Sequence, residues 1–290
     1  MLKYEVWIFG SMSIELPEAR IFAEQMQEVL PGKRIDSIDS QDMERMLGMG
    51  IGKDHLFDFD GLVGRTVEAV TARGNTIRVM LSGGFNIVHG PEYGGRIRLV
   101  QPGEKVPKYH LKLLFSDGSV LSMRNTGMGI IYALKDEHLH ESYLYKRDYL
   151  SSMSPTDPVF TWEKFKMLFG EEDRQLKPML VGKEAFLSGI SNATFQDVLF
   201  RAKIHPKTKA SKLSEDQLKG VYYAIMHVIA QRLELGGKEK FTDLYGNPGR
   251  YIAAMGPNYK DRKCPNCGTP IQKLAHGGGH VYLCPSCQFE

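Results

Sequence analysis

Cys264-Pro265-Asn266-Cys267 and Cys284-Pro285-Ser286-Cys287, separated by sixteen residues, contain all four cysteines of this 290-residue chain. Two Cys-x-x-Cys pairs at this separation match the four-thiolate zinc pattern. A two-residue insert lets both sulfurs of a pair reach one ion. The loop between the pairs carries Gly268 and Gly277-Gly278-Gly279, and it can fold as a β-hairpin that returns the second pair to complete a tetrahedron. Two disulfides, or a redox pair, would use the same residues. No secretory signal accompanies them, which disfavours disulfides, and two symmetric pairs favour a closed structural site over an open redox one. One structural zinc is therefore expected on Cys264, Cys267, Cys284 and Cys287. A ribbon this small has too little apolar core to fold alone, so it staples something larger.

The rest of the chain suits about two globular domains plus the ribbon, with 42% hydrophobic and 24% charged residues. A net charge of only +3 does not announce a nucleic-acid binder, but the distribution is uneven. Arg201, Lys203, Lys207, Lys209 and Lys212 fall in one run without an acid, and Lys260, Arg262 and Lys263 directly precede the first cysteine. One such run reads as a solvated face. Two in the half that carries the ribbon point to a polyanion partner. No apolar run approaches the roughly 18–20 residues of a membrane span. Cytoplasmic residence with reduced thiols, nucleoid-associated, is the expectation.

Residues 1–13 read as an extension in which Tyr4 to Phe9 can add an edge strand, and Met12 is a second candidate start. A helix is predicted from Leu16, with Pro17 in its first turn, Glu18 complementing the positive helix end, Phe22, Met26, Val29 and Leu30 at helical spacing, and Pro31-Gly32 as its stop. Short strands follow at Val63 to Arg73, Thr76 to Leu81, Phe85 to His89, Tyr109 to Ser116 and Ser119 to Met123, the last two joined by an Asp117-Gly118 turn. After the linker-like Ser151 to Pro158 the pattern becomes helical: Trp162 to Phe169, Lys177 to Val181, Ala193 to Ala202, and Ser214 to Leu235, where Ser214 and Gln217 make a capping box. The fold class is α+β. The expected domains are a β-sandwich with a leading helix over 14–150, a helical domain over 151–257 and the ribbon over 258–290.

In this order the chain resembles the formamidopyrimidine-DNA glycosylase and endonuclease VIII family. Ile14-Glu15-Leu16-Pro17-Glu18-Ala19 is similar to the family's Pro-Glu-Leu-Pro-Glu opening. Ser188-Gly189-Ile190-Ser191-Asn192 is similar to the Gly-x-Gly-Asn turn of its helix–two-turn–helix, and Ala202-Lys203-Ile204-His205-Pro206 to its Ala-Gly-Ile-His-Pro. Cys264 to Gln288 resembles its zinc-finger hairpin. The resemblance is strongest in the helical half and weak from about residue 33 to 130. It implies a protein that kinks duplex DNA, flips a damaged nucleotide and grips phosphates with the helix–two-turn–helix and the hairpin. In the family an N-terminal proline amine attacks the sugar C1′, a neighbouring glutamate assists, and elimination nicks the strand.

Carried over by position, Glu15 and Glu18 fall on the family's glutamates and are the candidate catalytic residues. Asn192 falls on its phosphate-binding asparagine. Lys183, Lys203, His205, Lys207, Lys209, Arg262 and Lys263 are the further candidate DNA contacts, with His205 fixing the basic loop. The departures are equally specific. Ile14 replaces the proline, and an internal peptide nitrogen cannot form a Schiff base. Removal of Met12 would instead give Ser13 a free amine one residue early. Asn75 stands for the family's lysine and Gly279 for its zinc-finger arginine. Arg124 to Gly129 replaces its void-filling loop, and Glu92 to Arg96 its wedge. Three readings follow: a monomeric glycosylase, monofunctional through a water activated by Glu15; a non-catalytic binder of damaged DNA; and a zinc-stabilised module for RNA or protein. His138 and His140 are expected to be exposed rather than ligands.

Overall fold

The structure is a computed structural model, described for residues 14–40, 54–91, 95–125, 129–170, 172–182 and 184–288. The expected strand at Tyr4 to Phe9, together with Ser13, Lys183, Glu92 to Gly94 and Thr126 to Met128, lies outside the described residues.

Helix α1 (Leu16–Val29) starts where Pro17 and the acids place it, with Glu15 and Glu18 forming a reciprocal capping box at its first turn. Its Ala19, Phe22, Ala23 and Met26 are buried in the core of a β-sandwich. One antiparallel sheet runs β2 (Val67–Arg73), β3 (Thr76–Leu81), β4 (Phe85–Gly90) and β8 (Ile130–Lys135); the other runs β1 (Ile35–Asp39), β6 (Leu111–Phe115), β7 (Val120–Arg124) and β5 (Arg96–Val100) in the order β1-β6-β7-β5. Alternation governs the strands covered on one face, as in β6, where Leu111, Leu113 and Phe115 point inward. β4 is buried at every residue because it is central in its sheet and Leu144 packs onto its end at Gly90. β1, β5 and β8 lie outside the strands that the sequence predicts.

The helical half contains α2 (Trp162–Phe169), α3 (Leu176–Leu180), α4 (Asn192–Ala202) and α5 (Glu215–Glu234) around one core that includes Phe165, Phe169, Phe195, Leu199 and Ile225. The Ser214–Gln217 capping box forms as predicted. α4 ends with Lys203 at φ 58°, a left-handed cap that glycine fills most cheaply. That is why the resembling motif carries glycine there. The ribbon, β9 (Gln272–His276) paired with β10 (Gly279–Leu283), docks on this half, and its Val281 enters the helical core.

The two halves exchange anchors. Leu16, from the first half, belongs to the helical core, while Phe241 and Leu244, from the second, belong to the sandwich core. Phe241 meets Phe22 edge-on at 4.9 Å between centroids. Between them the β2–β3 turn at Gly74 presses on Gly189. Gly189 has φ +76°, and a Cβ there would lie 2.5 Å from the Leu16 side chain and 2.8 Å from the Gly74 backbone. Gly189→Ala should therefore destabilise the protein by on the order of 2 kcal/mol, read as a lower urea midpoint at unchanged slope. Gly182→Ala, with φ +110° but open space around it, should cost less, because backbone strain alone is added.

Candidate functional site

The opening turn of α1 delivers Glu15 and Glu18 into the junction, where both are fully buried. Glu15 accepts from the backbone N–H groups of Ser191 (3.0 Å) and Thr194 (3.3 Å), from the Ser191 hydroxyl and from Thr194 Oγ1 (2.6 Å). Arg232, on α5, donates Nη1 to Glu15 and both Nε (3.0 Å) and Nη2 (2.5 Å) to Glu18. The Lys238 backbone also donates to Glu18, at 3.2 Å. A carboxylate from the first half thus occupies the N-terminus of α4, where free N–H groups and the helix dipole favour negative charge.

Charge balance follows from burial. Two carboxylates face the guanidinium of Arg232 and the ammonium of Lys238, which are 2% and 8% exposed. Burial pushes the Glu15 carboxyl up, but Arg232, Lys238 and the Ser191 and Thr194 hydroxyls outweigh it and hold it at about 2. Arg232 is driven the other way: burial lowers its pKa, and Glu18 and Glu15 more than restore it, so it stays charged. Lys238 is lowered, burial outweighing the pull of Glu18 and Glu15. Glu15 is therefore an ionised carboxylate whose oxygens are filled by donors.

The stretch before it touches the same junction. Ile14 is buried, and its carbonyl accepts from Asn75 Nδ2 at 3.5 Å. Asn75 Oδ1 in turn accepts from Arg147, whose guanidinium also holds Asp148 at 2.7 Å. Asp148 accepts from Thr76 Oγ1 at 2.6 Å. Sequence alone gives no signal for the Arg147–Asn75 contact, because the two residues lie 72 positions apart in the chain.

On the ribbon side, Asn192 donates Nδ2 to the His280 carbonyl at 2.7 Å. The other hydrogen of that amide is still available to a second acceptor. Gln196 and Gln288 reinforce the docking: Gln196 accepts from the Tyr282 N–H at 2.7 Å, and Gln288 donates to the Ile204 carbonyl at 2.9 Å. Lys177 donates to the His276 carbonyl at 2.5 Å. Lys203, Lys207, Arg262 and Lys263 are exposed. Lys209 is exposed but paired with Asp173 at 2.8 Å. His205 accepts from the Lys207 N–H at 3.3 Å. Burial, then Lys177 and Lys207, lower the pKa of His276, so these cations converge on the seam between loop and ribbon. Gly279 opens β10 and has nothing within 4 Å of a would-be Cβ.

The four cysteine sulfurs lie together, with Cys264–Cys287 at 3.8 Å, Cys267–Cys284 at 3.5 Å and Cys267–Cys287 at 3.4 Å. Four thiolates about 2.3 Å from one zinc ion sit about 3.8 Å apart in a tetrahedron, so this donor set fits the ion.

Family models match three stretches: the formamidopyrimidine-DNA glycosylase N-terminal domain over residues 14–127, its H2TH domain over 152–242, and the zinc finger found in FPG and IleRS over 262–288. The chain belongs to the formamidopyrimidine-DNA glycosylase family. It is 26% identical to the glycosylase of Listeria innocua over 279 residues, covering 94% of this chain and 99% of that one. With the Oceanobacillus iheyensis glycosylase it shares 27% over 286 residues, 94% and 97% covered. Among solved structures, the Lactococcus lactis Fpg bound to abasic-site DNA superposes with a TM-score of 0.79 at 24% identity, covering 95% of this chain and all of that one. MutM from Thermus thermophilus gives 0.78 at 23%, covering 94% and 98%.

The glycosylase-family zinc finger here holds one structural zinc on Cys264, Cys267, Cys284 and Cys287. Of the histidines, His138 departs from its expected exposure: it is partly buried against His55 and Glu141, whereas His140 is exposed.

This geometry makes the junction and the ribbon separately testable. Arg232→Met leaves two buried carboxylates facing Lys238 alone, and it should cost about 3–5 kcal/mol in urea unfolding. The depressed Glu15 pKa contributes stability that is full above pH 4.5 and is lost as pH falls towards 2; Glu15→Gln should flatten the stability profile across that window. Removing zinc with a chelator, or Cys284→Ser, should unfold the ribbon and expose Val281 and Tyr282, seen as added proteolytic cleavage after Lys260 to Lys263 with α1 and the sandwich intact.

Proposed function

We propose that this chain is a DNA-repair protein that binds damaged duplex DNA between its β-sandwich and helical halves and releases the flipped base by hydrolysis, without a Schiff base. Family membership supports the substrate class, as do relatives of the same fold whose structures contain Fapy-dG, carbocyclic 8-oxo-G or abasic-site DNA. One observation carries the hydrolytic route: Ile14, whose nitrogen is a peptide amide, stands where the family places its nucleophilic amine, and Asn75 stands for its lysine. Water then supplies the oxygen that replaces the C1′–N bond. A carboxylate held at about 2 is a weak proton acceptor at neutral pH. Glu15 serves better as a fixed negative charge opposite the positive charge that develops on the sugar. Glu18 keeps Arg232 in place beneath it.

In this reading Asn192 offers its second amide hydrogen to a phosphate, flanked by Lys203, Lys207, Arg262 and Lys263, with Lys183 as a further contact. His205 shapes the loop, and Lys209 contributes once it exchanges Asp173 for a phosphate. Affinity should fall steeply with salt. A second reading, a non-catalytic binder of damaged DNA, is favoured by the saturation of the Glu15 oxygens with protein donors.

A panel of oxidised, alkylated and deaminated duplexes separates the two. Base release that Glu15→Gln lowers by roughly 100-fold or more, with abasic-duplex binding kept, is the expected result and eliminates the binder reading. Borohydride reduction on abasic DNA should leave no covalent adduct; an adduct through the N-terminus would overturn the hydrolytic route and point to Ser13.

A further inference from the structure

We propose a second metal site, for a zinc-class divalent ion, formed by His55, His138 and Glu141 at the edge of the β-sandwich. It is separate from the cysteine ribbon and from the Glu15 junction. His138 and Glu141 lie on a 3₁₀ turn, Asp136–Glu141, that directly follows β8. With three residues per turn, side chains at i and i+3 stand one above the other, and His138 Nδ1 lies 3.0 Å from Glu141 Oε1. His55 comes from a second 3₁₀ turn, Asp54–Leu56, and its ring lies 4.2 Å from that of His138 between centroids. His55 Nε2 lies 3.1 Å from the same Glu141 oxygen. One donor atom from each of the three residues falls within 4.8 Å of the others.

Three features point to an ion rather than to a hydrogen-bonded trio. First, His55 Nε2 is shielded from solvent yet makes no hydrogen bond, although the carboxylate oxygen is within reach. At 3.1 Å the contact has ion-pair distance without hydrogen-bond geometry. Second, ligands about 2.0–2.2 Å from zinc in a tetrahedral set lie roughly 3.3 Å apart, close to the two separations seen. Third, the other ring nitrogen of His138, Nε2, faces the Glu137 carboxylate at 3.7 Å. Histidine ligands commonly orient their second nitrogen towards a carboxylate in this way.

Two imidazoles and one carboxylate select zinc-like ions over magnesium or calcium, and three ligands among the described residues are the number that a zinc site with an open position uses. Binding releases the proton that His138 Nδ1 shares with Glu141. The ion would tie the 54–62 segment to β8. That segment already caps this edge strand, through the Phe57–Ala133 bridge and the Asp58 N–H to Ala133 carbonyl bond of 2.8 Å.

The test uses the full chain, equilibrated with excess zinc sulfate, desalted and analysed for bound metal. Two zinc ions per chain are expected, and one in each of His55→Ala and Glu141→Gln. Cobalt substitution distinguishes the sites: the ribbon gives intense sulfur-to-metal charge transfer, while the second equivalent adds only weak visible bands, absent from the variants. Zinc should also raise the Tm of the wild-type chain by a few degrees beyond its effect on the variants. A single zinc in the wild-type chain, or two in both variants, would overturn the proposal and leave Glu141 as a carboxylate that pairs with the imidazoles without a metal. Either variant can fail to fold without loss of the test, since the wild-type stoichiometry and the cobalt spectrum decide it alone.

Discussion

The two halves of this molecule meet at a carboxylate buried away from solvent. Glu15 and Glu18 are taken out of solvent by the packing of α1 against α4 and α5, and an uncompensated buried charge costs several kcal/mol. The structure answers with one guanidinium, one ammonium and a set of hydroxyl and backbone donors. Because the carboxylates come from the first half of the chain and these partners from the second, the ionic cluster is satisfied only when the halves are in register. Apolar packing alone would tolerate small slippage. Paired charges of this kind do not, and the exchange of Leu16 for Phe241 and Leu244 across the same seam adds area to a geometry that the charges define.

Much of this is legible in the sequence, and the reasons are local. Capping residues, helical spacing and the Asp117-Gly118 turn report their own neighbourhoods, so α1, α2, α5 and the β6–β7 hairpin are readable. The cysteine spacing encodes its own closure. β1, β5 and β8 escape such a reading because their burial depends on which sheet they join. Glu15 shows the same limit at the site. Its spacing from Glu18 announces a helix start, but its partners Ser191, Thr194 and Arg232 lie more than a hundred residues on. The environment of His138 escapes for a related reason: a search for α-helical spacing does not see a 3₁₀ turn whose partner is His55.

The ribbon and α4 form the second fixed unit. Asn192, Gln196 and Gln288 commit side-chain hydrogen bonds to this seam, which holds the start of α4 and the hairpin at a constant separation. That rigidity suits the phosphate-spanning role proposed for this surface, since the repeat of a phosphate backbone is fixed. The basic side chains around it are left outward, and Lys177 is drawn under the hairpin, where burial lowers its pKa.

The departures from the family then acquire a common logic. Losing an amine at Ile14 and a lysine at Asn75 would strip positive charge from the cleft side of the junction. Arg147 stands in that gap, on a π-helical turn, and reaches Asn75, which in turn reaches the carbonyl of Ile14. A guanidinium cannot act as a nucleophilic amine, since it stays protonated, but it can hold a phosphate or a polar group in a fixed plane. In the proposed function, exchanging a reactive group for an unreactive guanidinium beside Glu15 keeps a cation at the nucleotide site while removing the means of forming a covalent intermediate. On the proposed hydrolytic reading, the chemistry left to the site is attack by water.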